Sequence, residues 1–191
     1  MLKKLAVVVG GLALLTVAVY GVRSWVRSSR REAADRALAR TADWAQGPSL
    51  AASLMVQEYG PPQWVGDDRL EWFMALPWKR ISVSDTPAGF LEHAVSYRIP
   101  QEKLAELRRF GRGLSVDAQN DEISARGESE EGNLLCLNLA NDIALGKKTA
   151  AQAGEFYRLT IRESMSGKSS PYMERLLFKA EMPAEAQMPQ P

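Results

Sequence analysis

The chain has 191 residues, with 24 basic and 23 acidic side chains, one histidine and one cysteine. That length suits one globular domain and is short for two. Hydrophobic residues make up 46% and charged residues 25%, which excludes collagen-like, low-complexity and mostly disordered chains.

The net charge of +1 hides an asymmetry. Six basic residues (Lys3, Lys4, Arg23, Arg27, Arg30 and Arg31) precede the first acidic one, Glu32. Residues 32–191 therefore carry 18 basic against 23 acidic side chains, a net of −5. Such a body is a poor nucleic-acid binder, because phosphate neutralisation supplies most of that affinity. The N-terminal cluster suits anionic lipid headgroups better.

Cys136 has no second cysteine to pair with, and His93 is the lone histidine, so a zinc site of several His and Cys ligands is not expected. No cofactor motif is present. Cys136 lies in the apolar run Leu134-Leu135-Cys136-Leu137, which reads as a buried, inert thiol.

Lys3-Lys4 precede an uncharged, largely apolar stretch from Leu5 to Val22, about 18 residues, near the lower limit for a transmembrane helix. Trp25 and the arginines after it form an interfacial collar. Dense arginine after the run and a weak small-x-small pattern favour a retained single-pass anchor over a cleaved signal peptide. The expected location is a bacterial inner membrane. The arginine-rich flank leans the body toward the cytoplasm, although a Lys-Lys start also suits exported bitopic proteins.

Residues 27–48 read as an alanine-rich polar helix that continues the membrane helix as a stalk, ended by Gly47-Pro48. Ser49 then caps a helix from Leu50 to Tyr59, with Leu50, Leu54 and Met55 on one face. Period-two alternation predicts strands around Leu70–Met74, Arg80–Ser84 and Ala94–Ile99. A short helix follows Pro100. Leu114–Ala118 and Ile123–Ala125 form a hairpin turning at Asn120-Asp121.

The last third is helical. One helix spans Glu128–Leu145 with Gly146 at its end. A capping box at Thr149 and Gln152 opens the next, which runs to about Met165. A short helix is expected over Tyr172–Phe178 and a disordered tail from Glu181. The reading is an α+β chain: anchor over 1–26, stalk over 27–48, one domain over 49–180 and a tail over 181–191. The domain should hold an antiparallel sheet of about five strands packed by C-terminal helices.

Three constellations carry chemical interest. On the Glu128–Leu145 helix an apolar arc of roughly 200° leaves Asn138, Asn141 and Asp142, with Glu131, in the opposite sector. That sector is either a site or a solvated stripe. Pro77-Trp78-Lys79-Arg80 sets an indole beside two cations, as an anion clamp or as a core anchor with snorkelling basic stems. With Arg126, these residues could meet an anionic ligand. Glu92 and His93, as strand neighbours, point to opposite faces and make no acid–base pair; His93 reads as a surface residue. Gly111-Arg112-Gly113 lacks the third glycine of a nucleotide loop.

Several strings occur together: Glu58-Tyr59-Gly60-Pro61-Pro62, Pro77-Trp78-Lys79-Arg80, Tyr97-Arg98-Ile99-Pro100 and Leu137-Asn138-Leu139-Ala140-Asn141-Asp142. On these the chain, over about residues 50–178, resembles a family of small uncharacterised bacterial proteins, exported or membrane-tethered. Members carry a longer loop after the Pro-Trp-Lys-Arg string than Asp85–Phe90 here. The resemblance implies one bacterial domain and no particular activity. The expected role is a membrane-tethered, non-enzymatic accessory protein with a protein partner and no nucleic acid. The alternative is a binder of, or weak enzyme on, a small anionic ligand at Trp78, Lys79, Arg80, Arg126, Asn138, Asn141 and Asp142.

Overall fold

A computed structural model describes residues 28–180. The expected span over 5–22 and the tail from Glu181 lie outside them. No helix among the described residues is long and apolar enough to cross a membrane.

The described chain is α+β, with one six-stranded antiparallel sheet. Helix α1 covers 28–40, and α2 covers Gln46–Tyr59. The strands β1 (Trp64–Val65), β2 (Arg69–Phe73), β3 (Arg80–Ser84) and β4 (Leu91–Ser96) follow as a meander. A 3₁₀ turn and α3 (Leu104–Phe110) lead to the hairpin β5 (Leu114–Asp117) and β6 (Glu122–Gly127). The spatial order is β1-β2-β3-β4-β6-β5. Helices α4 (Glu130–Ala144), α5 (Ala150–Ser164) and α6 (Pro171–Glu174) complete the chain.

The pleat explains the core. Trp72, Ile81, His93, Ala125 and Leu114 stand in one cross-strand row, with Leu70, Val83 and Leu91 in the next. Residues of one row share a face; those of β4, β5 and β6 meet α4, and those of β3 meet α2. The opposite face carries Ser82, Glu92 and Arg126 in register. Helix α4 is enclosed by the sheet on one side and by α3, α5 and α6 on the others. It begins at Glu130, two residues after the expected Glu128, and ends before Gly146 as expected. The Ser129 hydroxyl accepts from the Gly132 N–H, and Gly146 turns the chain away at φ +72°. The Thr149/Gln152 capping box also forms.

Four expectations need correction. Gly47-Pro48 does not end a helix but lies in the first turn of α2, and Ala45, not Ser49, holds its N-cap position. A proline in a first turn costs no hydrogen bond, because that N–H has no helical partner. Helix α1 does not stand off as a stalk, since its Ala37 is fully buried in the core. Strand β4 begins at Leu91, three residues before the expected start, and all six of its residues are buried. The short helix stops at Glu174 and does not reach Phe178.

The Gly111–Gly113 turn joins α3 to β5, with three successive residues at positive φ (67°, 58° and 78°). A Cβ on Gly113 would lie 2.1 Å from the Arg126 carbonyl oxygen, while one on Gly111 would meet nothing. Gly111→Ala meets no clash, but Gly111 sits at φ 67° and ψ −128°, a region that favours glycine, and the change should cost about 1–2 kcal/mol in backbone strain alone. Gly113→Ala adds a backbone clash and should cost about 3 kcal/mol or more. Urea unfolding of the two variants checks the difference.

Candidate functional site

The seven expected ligand residues do not come together. Lys79, Arg80 and Arg126 belong to one ion-pair network on the open sheet face. Arg80 bridges Glu92 (3.1 Å) and Glu122 (3.3 Å), Lys79 holds Glu122 (2.7 Å), and the Arg126 Nε donates to Glu92 (3.1 Å). Burial alone would raise the Glu92 carboxyl; the Arg126 hydrogen bond and the Arg80 charge outweigh it and hold that group below its ordinary value. These cations already have carboxylate partners, which leaves little for an external anion.

Asn138, Asn141 and Asp142 lie on the other side of the sheet, on α4, and all three are buried. They are not a solvated stripe, and each is engaged by a partner within the protein. The Asn138 side-chain nitrogen donates to the carbonyls of Tyr172 (3.0 Å) and Arg175 (2.8 Å), and its oxygen accepts from the Leu177 N–H (2.7 Å). Asn141 accepts from the Tyr97 hydroxyl (3.0 Å). Asp142 accepts from Lys148 (2.6 Å) and from the Tyr172 hydroxyl (2.7 Å). The set clamps the C-terminal segment onto α4.

Trp78 is buried, as a core anchor should be. Its indole N–H is shared between the Tyr59 hydroxyl (2.9 Å) and Glu130 Oε1 (3.2 Å), and Tyr59 donates to the same oxygen (2.6 Å). Against the Trp78 ring, at 4.4 Å between centroids, lies His93. His93 is not a surface residue: its exposure is 0%. Its sequence position gave no warning, because the group that receives it, Asn133, is 40 residues away.

The tautomer of His93 follows from its partner. Asn133 Nδ2 lies 3.0 Å from the Leu91 carbonyl oxygen, which can only accept, and 3.0 Å from His93 Nδ1. The amide nitrogen therefore donates to Nδ1, and the proton of the neutral ring sits on Nε2. Among the described residues that N–H has no hydrogen-bond partner, and Glu130 Oε1 lies 3.9 Å away. Burial pushes His93 down to about 3. Burial also raises the Glu130 carboxyl, against the hydrogen bonds from Tyr59 and Trp78. Cys136, sealed in α4, is pushed up to about 12 by burial.

Outside this cluster runs a groove of about 330 Å³ between α2 and the start of α4. Leu50, Leu54 and Phe90 line it, and Glu58, Glu128 and Glu131 add carboxylates. The expected apolar face of α2 is split. Ala51, Ala52 and Met55 turn inward, while Leu50 and Leu54 are 59% and 50% exposed. A helix that buries its alanines and presents its leucines leaves its larger apolar side chains unsatisfied.

No protein-family model, curated protein or solved structure matches the chain.

Two predictions follow from this geometry. His93 stays neutral in the fold, whereas the unfolded chain takes up a proton below the ordinary value of 6.5. Its contribution is complete above pH 6.5 and is lost as pH falls toward 3. Between pH 7 and pH 5 it removes about 2 kcal/mol of stability. Urea unfolding at pH 5, 6 and 7 should show this slope, and His93→Gln should flatten it. The imidazole nitrogen resonances should report the Nε2–H tautomer throughout. Separately, Asn138→Leu strands three backbone groups and should cost about 3 kcal/mol. Hydrogen exchange at the Leu177 amide should accelerate before that of the sheet.

Proposed function

We propose that this chain is a non-enzymatic interaction protein of the bacterial cell envelope, tethered to the inner membrane by residues 5–22, that holds a protein partner in the α2/α4 groove. The observation that carries this reading is the outward display of Leu50 and Leu54 beside a carboxylate rim. Apolar side chains bordered by Glu58, Glu128 and Glu131 suit an amphipathic helix with leucine-sized anchors and flanking lysines or arginines. The burial of the single histidine and the single cysteine supports a role without chemistry, because neither can reach a substrate. The apolar run and its arginine collar support the tether, in keeping with the family resemblance.

The test is a photoreactive residue at Leu54 of the full chain, in native membranes. One partner protein should crosslink through a basic amphipathic segment. A synthetic peptide of that segment should bind the purified chain. Leu50→Ala should weaken that binding by about 1–3 kcal/mol. Glu128→Lys with Glu131→Lys should weaken it further at low salt. Crosslinks solely to lipid, or solely to a second copy of the chain, would overturn the proposal.

A further inference from the structure

A second surface lies at the end of the molecule where α1 begins. The turn between β2 and β3 packs near the segment that follows α6, and a cleft of about 490 Å³ opens between them. Its walls are apolar: Met74, Leu76, Trp78, Leu176 and Phe178. Leu76 is 63% exposed and Met74 38% exposed at the tip of the turn. Three cations, Lys79, Arg175 and Lys179, share the cleft. Lys79 is held by Glu122, but among the described residues neither Arg175 nor Lys179 has a carboxylate partner. A body that is net acidic thus turns one apolar, cationic patch outward.

The helices place this patch relative to the anchor. Helix α1 runs alongside α2 in the opposite direction. At one end, Arg40 pairs with Asp67, and Asp85 accepts from the Ala45 N–H. At the other, the Arg30 guanidinium lies beside Gly60, about 3.0 Å from where its Cβ would be. Gly60 follows Tyr59, whose hydroxyl accepts the Trp78 indole N–H. The first described turn of α1 therefore reaches the same end of the domain as the Met74–Lys79 turn. The β3–β4 loop lies at the opposite end, because β3 separates the two.

We propose that the Met74–Lys79 turn and the Arg175–Lys179 segment form a membrane-contact face that seats the domain on an anionic bilayer, with Leu76 and Met74 in the interface and Arg175 and Lys179 on lipid headgroups. The proposal rests on the reading of residues 5–22 as the tether. Apolar tips between cations are the arrangement that binds interfaces, since acyl chains take the first and anionic headgroups the second. The acidic remainder of the domain is repelled by the same surface, so one orientation is selected. The domain would stand with the cleft against the lipid and the β3–β4 loop away from it.

The experiment uses the full chain in vesicles, either of phosphatidylcholine alone or with phosphatidylglycerol added. A spin label is placed at Leu76→Cys or, as a reference, at Ala88→Cys in the β3–β4 loop. Native Cys136 is buried and does not compete for the label. In the anionic vesicles the label at 76 should favour collision with dissolved oxygen over a water-soluble nickel chelate by several-fold relative to position 88. Arg175→Glu with Lys179→Glu should return it to the value of position 88. Position 76 as aqueous as position 88 in anionic vesicles would overturn the proposal. An alkaline carbonate wash tests the tether by itself. A chain that stays with the vesicles while position 76 is aqueous leaves the tether standing and ends the contact face. A chain that washes off, after showing position 76 in the interface, upholds the contact face and ends the tether.

Discussion

Helix α4 is buried without interruption from Asn133 to Ala144, and each polar side chain in that run must find its partner inside the protein. An unpaired buried polar group costs about 1–3 kcal/mol, so a helix carrying four of them would be a liability in a loosely assembled core. Here the liability specifies the architecture. Asn133 reaches the Leu91 carbonyl and His93, which fixes α4 against β4. Asn141 takes the Tyr97 hydroxyl just beyond that strand. Asn138 and Asp142 gather Lys148, Tyr172 and the segment through Leu177. Apolar contacts would let α4 slide or rotate at small cost. The directional bonds allow one register, and the sheet, α5 and the C-terminal segment are all aligned by it.

The sequence was readable where an element has a dry side and a wet side. Strand β2 alternates, with Leu70 and Trp72 buried between partly exposed neighbours; β3 alternates in residue type, with Ile81 and Val83 inward, although Ser82 on its other face is also buried. The end of α4 at Gly146 and the start of α5 at Thr149 were readable because a cap is a local bond, closed within four residues. Strand β4 was displaced in the reading because both of its faces are buried, by α4 on one side and by the arginine–glutamate network on the other. Contrast disappears there, so Leu91 to His93 carried no period-two signal. His93 and the asparagines of α4 were misread for a related reason. A polar side chain in an apolar run says only that it needs a partner. Whether that partner is water or an amide 40 residues away depends on the tertiary fold.

The candidate site failed to assemble for a physical reason as well. Charges were grouped by type, yet cations on a sheet face are held first by the carboxylates of nearby strands. Cross-strand neighbours on one face lie about 5 Å apart, which sets Glu92 against Arg126, while the long Arg80 side chain reaches Glu92 diagonally and Glu122 two strands away. The residues of interest proved to be those left over after this pairing. Leu50 and Leu54 are left over from a helix whose alanines suffice to pack it. Arg175 and Lys179 are left over beside a cleft whose other cation is already held. Neither remainder can be recognised before the pairings are known.

These two surfaces are coupled mechanically through one small cluster. Glu130 lines the groove, and its Oε1 receives both the Tyr59 hydroxyl and the Trp78 indole. The Trp78 ring in turn forms a wall of the cleft at the end where α1 begins. Tyr59 closes α2, the helix that displays the leucines. The end of α2, the start of α4 and the turn before β3 are thus held at a single carboxylate oxygen, with the buried His93 packed behind them. Flexible joints at this point would let the groove wander relative to the cleft. Three hydrogen bonds and the tilted His93 ring packed against Trp78 remove that freedom, so the groove and the cleft keep one relative placement. If the groove holds a partner, as proposed, a cluster that fixes the end of α2 against the start of α4 would lower the entropy lost on association.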